Sequence, residues 1–394
     1  MEKVKLGDVC EIINGYAFKS NLYEENGIRI IRITNVQKGY IEDTEPKFYN
    51  LNLKRELNKY MLYEKDLLIS LTGNVGRVGI LKKEMLPAAL NQRVGCIRVL
   101  NKSRLDKNYL FNVLNNKLFE NECINNSKGI AQKNLSTEWL KEYKINLPSL
   151  EEQKNIANKL DKVQKIIDIR KKQIEELDKL IKSQFVEMFG TLKDTKYNTK
   201  TLVEITSKEA NSIKRGPFGG SLKKDDFVES GYLVYEQRHA IHNDFKYEKY
   251  YITEEKYNDM IMFKVNPKDL LISCSGVTLG RIAEVPENAK KGIINQALLK
   301  ITLDSNVMNN IYFIQHFRSD EIQEKLFSFS RGSGIPNFPS MSEVKKIKFV
   351  CPPIELQNKF AEIVKQIDKQ KFEIQKNLEE MQNLQESLMN KYFG

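Results

Sequence analysis

The second half of the chain repeats the plan of the first at one constant offset. Gly27 answers Gly231, 204 residues on, and Asn91-Gln92 answers Asn295-Gln296 at the same separation. Pro148 with Pro352, Gln153 with Gln357, and Phe189-Gly190 with Phe393-Gly394 keep it too. The apolar run Asp66–Ser70 answers Asp269–Ser273 one residue out of phase. Between these anchors the copies differ widely. Two units with a common frame and different faces suit a protein that reads two different things at a fixed separation.

Each copy opens with about 150 residues of mixed character. Ile28–Val36 and Tyr232–Ala240 read as strands behind a glycine turn. Leu67–Leu71 and Leu270–Cys274 read as buried strands leading into loops. Tyr109–Asn121 and Asn310–Phe327 have the spacing of amphipathic helices. Loops rich in Lys, Gly, Asn and Ser follow, at Asn125–Asn134 and Ser328–Asn337.

A different pattern then begins in both copies. Ser149 with Glu152 three residues later is a capping box. From there Ile156, Leu160, Val163, Ile167, Ile174, Leu177, Ile181 and Met188 keep a 4-3 heptad spacing, with Gly190 as the stop. After Pro352-Pro353 the second copy repeats it with Phe360, Val364, Ile367, Ile374, Leu378, Met381, Leu388 and Tyr392. Each rod would be roughly 60 Å long. A lone apolar stripe cannot stay in water, so the expected partner of each helix is the other, in an antiparallel coiled coil with pseudo-twofold symmetry. The polar breaks in the stripes suggest a register with Arg170 opposite Gln385 and Gln184 opposite Lys371. The expected fold class is therefore α/β, as α+β globular recognition domains in tandem repeat, each followed by a long α-helix. The segments are 1–148, helix 149–190, 191–351 and helix 352–394.

Charge narrows the function. The net charge is +11 in 394 residues, which points to a polyanion, nucleic acid first and a membrane surface second. The apolar runs are far too short to span a bilayer. Met1–Val4 opens without an apolar signal region, so a cytoplasmic protein is expected. The five cysteines are scattered and never form a Cys-x-x-Cys pair, which argues against a disulfide framework or a zinc site. His239 and His242 have helical metal spacing but lie in what reads as strand, so no metal is expected.

The tandem layout resembles the specificity subunit of type I DNA restriction–modification systems over essentially the whole chain. Local patterns carry the likeness in a doubled order. They are Lys5-Leu6-Gly7-Asp8-Val9, Gly15–Ser20 with its counterpart Gly216–Ser221, Asp66–Ser70 with Gly76-Arg77, and Asp269–Ser273 with Gly280-Arg281. Leu147–Gln153 and Pro352–Gln357 complete the set. The resemblance implies that each globular domain is a target-recognition domain reading one half of a split site in double-stranded DNA. It also implies that the helices set the gap and dock two methyltransferase subunits, with restriction subunits joining that core. S-adenosylmethionine, ATP and magnesium would belong to those partners, and this chain would itself be non-catalytic.

No enzyme motif competes. Gly73–Gly79 has glycines but neither the spacing nor the lysine of a P-loop. Cys351-Pro352-Pro353-Ile354 lacks the amide or carboxylate and the aromatic of an amino-methyltransferase motif, and its position matches a helix entry in the other copy. The rival classes are a coiled-coil protein scaffold with incidental charge and a solitary enzyme with an unfamiliar site.

DNA contact needs Lys and Arg for phosphates and forked or planar polar groups for base edges. The candidates in the first copy are Lys19, Ser20, Arg32, Asn35, Thr72, Asn74, Arg77, Gln92, Arg93, Gln132 and Lys133. In the second they are Ser221, Lys223, Gln237, Arg238, Ser275, Thr278, Arg281, Gln296, Arg331 and Ser333. Arg77 and Arg281 recur in both copies and suit phosphate contact or a structural ion pair. Positions that differ, such as Asn74 and Arg238, better suit base discrimination. Asn91-Gln92 and Asn295-Gln296 could equally tie down their own loops. Asp66 and Asp269 read as turn formers, and Gly15 and Gly216 as tight backbone turns.

Overall fold

A computed structural model describes residues 2–129, 133–276, 278–328 and 338–394. The chain divides into two compact units, one of residues 1–171 with 376–394, the other of residues 172–375.

In the first unit, the run Leu67–Ser70 is fully buried because it has apolar neighbours on both faces. Leu67 and Ile69 join a core with Tyr109, Leu110 and Phe119, while Leu68 points the other way toward Leu62 and Leu90. That double burial explains a continuous apolar run where a half-exposed strand would alternate. The strand is central in a five-stranded sheet ordered Cys10–Asn14, Val94–Val99, Leu67–Ser70, Val78–Ile80, Gly39–Tyr40. A four-stranded sheet, ordered Phe48–Tyr49, Ile28–Ile31, Ala88–Leu90, Met61–Leu62, is interleaved with it in sequence. Its central pair, Ile28–Ile31 and Ala88–Leu90, is parallel. Glu2–Lys5 pairs with Lys144–Leu147.

The second unit repeats this. Leu270–Ser273 lies between Leu298–Ile301 and Ile282–Glu284, with Ile213–Arg215 at the edge. Leu270 and Ile272 face one core, Leu271 another. Tyr232–Tyr235 and Gly292–Ile294 form the parallel pair of its second sheet. Most other pairings are antiparallel and the helices are segregated from the strands, so each unit is α+β.

Several elements depart from the expected pattern for visible reasons. The strand expected over Ile28–Val36 ends at Ile31, and Ile33–Asn35 forms a 3-10 turn. The strand expected over Tyr232–Ala240 ends at Tyr235 and becomes a helix, Gln237–His242. There the Glu236 amide donates to Nδ1 of His239 at 2.9 Å, a cap that periodicity does not reveal. His239 is fully buried, with its Nε2 2.9 Å from the Tyr247 carbonyl. The helix expected over Tyr109–Asn121 is two, Lys107–Leu114 and Lys117–Asn125, because Asn116 accepts from the Phe119 amide and starts a new helix. Its counterpart divides likewise into Asn310–Phe317 and Asp320–Ser328.

The long helices run Leu150–Phe189 and Ile354–Phe393. Ser149 Oγ accepts from the Glu152 amide at 3.2 Å, and Gly190 has the positive φ of 73° that ends a helix. A buried glutamine ties the start of each helix to the unit in which it begins. Gln153 accepts from the Asp106 amide at 2.8 Å and donates to the carbonyls of Arg104 and Pro148. Gln357 accepts from the Asn309 amide at 2.9 Å and donates to those of Val307 and Pro352. Cys351–Ile354 is thus part of a helix entry.

The expected register of the helices is not the one observed. In the first unit Gln385 donates to Gln164 at 2.7 Å, where Arg170 was expected opposite it. In the second unit Lys371 bonds Asp178 at 2.5 Å, and Gln184 bonds Glu187 on its own helix. Each contact departs from the expected pairing by six residues. Large apolar side chains decide this. Phe189 packs edge-on to Phe360 at 5.5 Å, and Leu160 shares a core with Met389 and Phe393. Long polar side chains such as those of Gln184 and Lys371 can reach past the seam, so they do not dictate it.

Candidate nucleic-acid interface

In both units, loops from distant parts of the chain meet beyond the ends of the parallel strand pair. One hydrogen-bond scheme holds them. Ser70 Oγ donates to the Asn74 carbonyl and accepts from the Arg77 amide at 3.1 Å. Ser273 Oγ does the same with the Thr278 carbonyl and, at 2.9 Å, the Arg281 amide. A small buried hydroxyl thereby folds each loop and presents its arginine.

Asn91 Oδ1 accepts from the Arg93 amide, and Asn295 Oδ1 from the Ala297 amide at 3.0 Å. These asparagines tie their own loops, while Gln92, Arg93 and Gln296 next to them are exposed. Gly15 and Gly216 press against the same turns. A Cβ there would lie 2.1 Å from the Asn91 carbonyl oxygen and 1.8 Å from that of Asn295. Both glycines have ordinary φ, so close approach rather than a tight turn demands glycine.

Further bonds complete the clusters. In the first unit the Gln92 amide donates to the Tyr16 carbonyl, the Leu71 amide to that of Arg93 and the Gly73 amide to that of Lys133. In the second, Gln237 accepts from the Ser275 amide at 3.3 Å, and the Cys274 amide donates to the Ala297 carbonyl.

The candidates divide into two groups. Lys19, Ser20, Asn74, Gln92, Arg93 and Lys133 are exposed in the first unit. Ser221, Lys223, Arg238, Arg281 and Gln296 are exposed in the second. The side chains of Gln92, Arg93, Arg281 and Gln296 have no hydrogen bond or ion pair among the described residues, which leaves them available to a ligand. Ser221 Oγ is spent on the Phe218 carbonyl at 2.9 Å, and Arg238 lies 4.4 Å over the Tyr247 ring. The other group is occupied by the fold. Asn35 is buried, accepting from the Arg32 amide and donating to the Glu42 carbonyl. Arg32 donates to the Glu45 carbonyl at 2.8 Å. Thr72 is buried and donates to Asn134 at 2.8 Å. Asn35, Thr72 and Arg32 are thus loop supports, because their short or half-buried polar groups must find partners inside. Arg77 is half-buried and donates to Gln37 at 2.8 Å, which aims its guanidinium. Gln237, Ser275 and Thr278 are half-buried in the turn itself. Gln132, Arg331 and Ser333 lie outside the described residues.

Asp66 and Asp269 form turns and also anchor the neighbouring strand. Asp66 accepts from the Tyr63 amide and holds Arg98 at 2.7 Å. Asp269 accepts from the Asn266 amide and from Thr302, and it faces Lys300 at 3.5 Å with both side chains buried.

Sequence reasoning missed Arg215 and Phe218. Arg215 packs 5.3 Å from the Phe218 ring, and the ring is 66% exposed. The signal was present in Lys214-Arg215-Gly216-Pro217-Phe218, two cations and an aromatic around a constrained turn.

The architecture is that of a tandem protein with one loop scaffold presented twice. It belongs to the family of type I restriction–modification specificity subunits. The profile described as "Type I restriction modification DNA specificity domain" matches residues 1–179 and 216–381. The type I restriction enzyme StySPI specificity subunit of Salmonella potsdam is 24% identical over 383 residues, 91% of this chain and 80% of that protein. The MjaVIII specificity subunit of Methanocaldococcus jannaschii is 33% identical over 182 residues, 45% of this chain and 43% of that relative. In fold, the crystal structure of a type I restriction–modification S subunit from M. genitalium matches 100% of this chain and 96% of its own, with a TM-score of 0.59 at 18% identity. Among the described residues no helix is long and apolar enough to cross a membrane.

Proposed function

We propose that this chain is the non-catalytic subunit that gives a type I restriction–modification complex its DNA target. Each unit reads one half of a bipartite site in double-stranded DNA, and the two halves differ in sequence. The observation that carries this reading is a common loop scaffold with different exposed side chains. Ser70 and Ser273, Asn91 and Asn295, and Gly15 and Gly216 play the same parts in both units. Around them Asn74 in one unit gives way to Thr278 in the other, and Thr34 to Arg238. The net charge of +11 supplies sequence-independent attraction to phosphates.

In this reading the two long helices pair as an antiparallel coiled coil that keeps the half-sites a fixed distance apart, with the units related by a pseudo-twofold. Their outer faces dock two methyltransferase subunits. Ile166, Ile169 and Leu384 in the first unit, and Leu180, Val186 and Phe372 in the second, are large apolar side chains left exposed on these helices. Restriction subunits join that core. S-adenosylmethionine, ATP and magnesium serve the partner subunits.

Methylome sequencing tests the proposal. Cells expressing this chain with its neighbouring methyltransferase gene should acquire a split methylated motif with a constant gap, and either gene alone should give none. Absence of that motif despite a soluble complex would overturn the reading.

A further inference from the structure

The most exposed aromatic ring of the second unit's loop cluster belongs to Phe218. Its backbone is tethered on both sides. Gly216 donates to the Leu298 carbonyl at 2.9 Å and leaves no room for a Cβ beside Asn295, Pro217 is buried, and Ser221 Oγ holds the Phe218 carbonyl. The turn therefore holds an apolar ring out into solvent, although burying it would be favourable. Its neighbour is a cation with an unmet demand. The Arg215 guanidinium lies 5.3 Å from the ring, and its buried Nε has no hydrogen-bond partner among the described residues. Lys223 and Lys224 are exposed a few residues on.

An exposed aromatic stacked on an arginine whose buried Nε has no acceptor among the described residues, with two exposed lysines close in sequence, has the chemistry of a side chain that enters a base stack while the adjacent phosphate is neutralised. The first unit differs here. Tyr16 follows Gly15 as Pro217 follows Gly216, but its ring packs against Phe18 at 5.0 Å and Tyr60 at 5.2 Å. The aromatic of that unit, 42% exposed, leans on two neighbouring rings, whereas no ring of its own unit packs on Phe218 among the described residues.

We propose that Phe218 is a wedge that inserts into the base stack of the half-site read by the second unit, with Arg215 taking a flanking phosphate. This rests on the DNA-reading proposal above. It makes that half-site deformable at one step, and pyrimidine–purine steps, which unstack most easily, should be favoured there.

The test uses the complex with its methyltransferase partner and duplexes of the methylated motif carrying 2-aminopurine at successive positions. The unsubstituted complex should raise 2-aminopurine fluorescence at one step of the second unit's half-site. Phe218→Ala should abolish that rise and weaken binding about 5- to 150-fold, with an unchanged salt slope. Phe218→Leu should keep part of both effects, and Arg215→Gln should lower the salt slope by about one. The melting temperature should stay unchanged for Phe218→Ala, since the ring is exposed. Wild-type affinity and fluorescence in Phe218→Ala would overturn the wedge and leave the DNA-reading proposal standing. Failure of the unsubstituted complex to bind its motif above random duplex would sink both.

Discussion

His316 shows how a single buried group links the core of the second unit to pH. Its Nε2 accepts from the Val350 amide at 2.8 Å, among Phe185, Tyr312 and Phe349. Burial pushes its pKa from 6.5 down to about 4. In the folded unit the ring stays neutral, whereas in the unfolded chain it takes up a proton below about 6.5. The unfolded state thus binds more protons between those values, and stability is lost as pH falls through that window. The loss should be roughly 1–2 kcal/mol between pH 6.5 and 5. Urea midpoints across this range should show it, and His316→Gln should remove the slope while lowering stability throughout. An equal slope in the variant would place the effect elsewhere. The same scale separates loop supports from ligands. Nothing in sequence distinguishes buried Asn35 from exposed Asn74. Both follow strands, and the Arg32 amide and the Glu42 carbonyl beside the first tell them apart.

At the scale of elements, the apolar stripe was legible except at the end of the first helix, where Phe185 and Phe189 take the buried face, and the register was not legible. Apolar positions repeat because a helix buries one face, and that periodicity is local. Register depends on which knobs meet, and here Phe189 against Phe360 outranks the matching of polar breaks. Cysteines at 164 and 385, with Cys351 replaced by serine, should therefore be joined by a short bis-maleimide. Cysteines at 170 and 385 should join far less. The reverse yield would restore the register inferred from the polar breaks. Short elements failed in the other direction. The Gln237–His242 helix rests on a histidine ring capping its own first turn, which a six-residue segment cannot advertise through periodicity.

At the scale of the whole molecule, the repeat predicts which substitutions act generally and which act on one half-site. Arg77 recurs as Arg281 on the same serine-held loop, so Arg77→Ala should weaken binding to all duplexes and lower the salt slope by about one. Arg238 answers to Thr34 rather than to an arginine, so Arg238→Ala should relax specificity in one half-site, by about 1–3 kcal/mol at the affected base pair. Binding measured against salt, and against duplexes randomised in each half, would separate them. Identical profiles for both variants would undo the division.

The tandem plan, the class of each globular unit, the long helices with their start and stop, and the basic charge were written in the sequence. Each is a local or periodic signal, repeated at one offset, and repetition makes weak local signals specific. Tertiary structure alone decided which polar residues near the loops remain free, where the helices meet, and that Phe218 stands exposed beside an arginine with an unpartnered donor. These depend on contacts between residues far apart in the chain. Side chains of the same type in similar loops are spent on the fold or left for a ligand according to which distant carbonyl or ring lies opposite them.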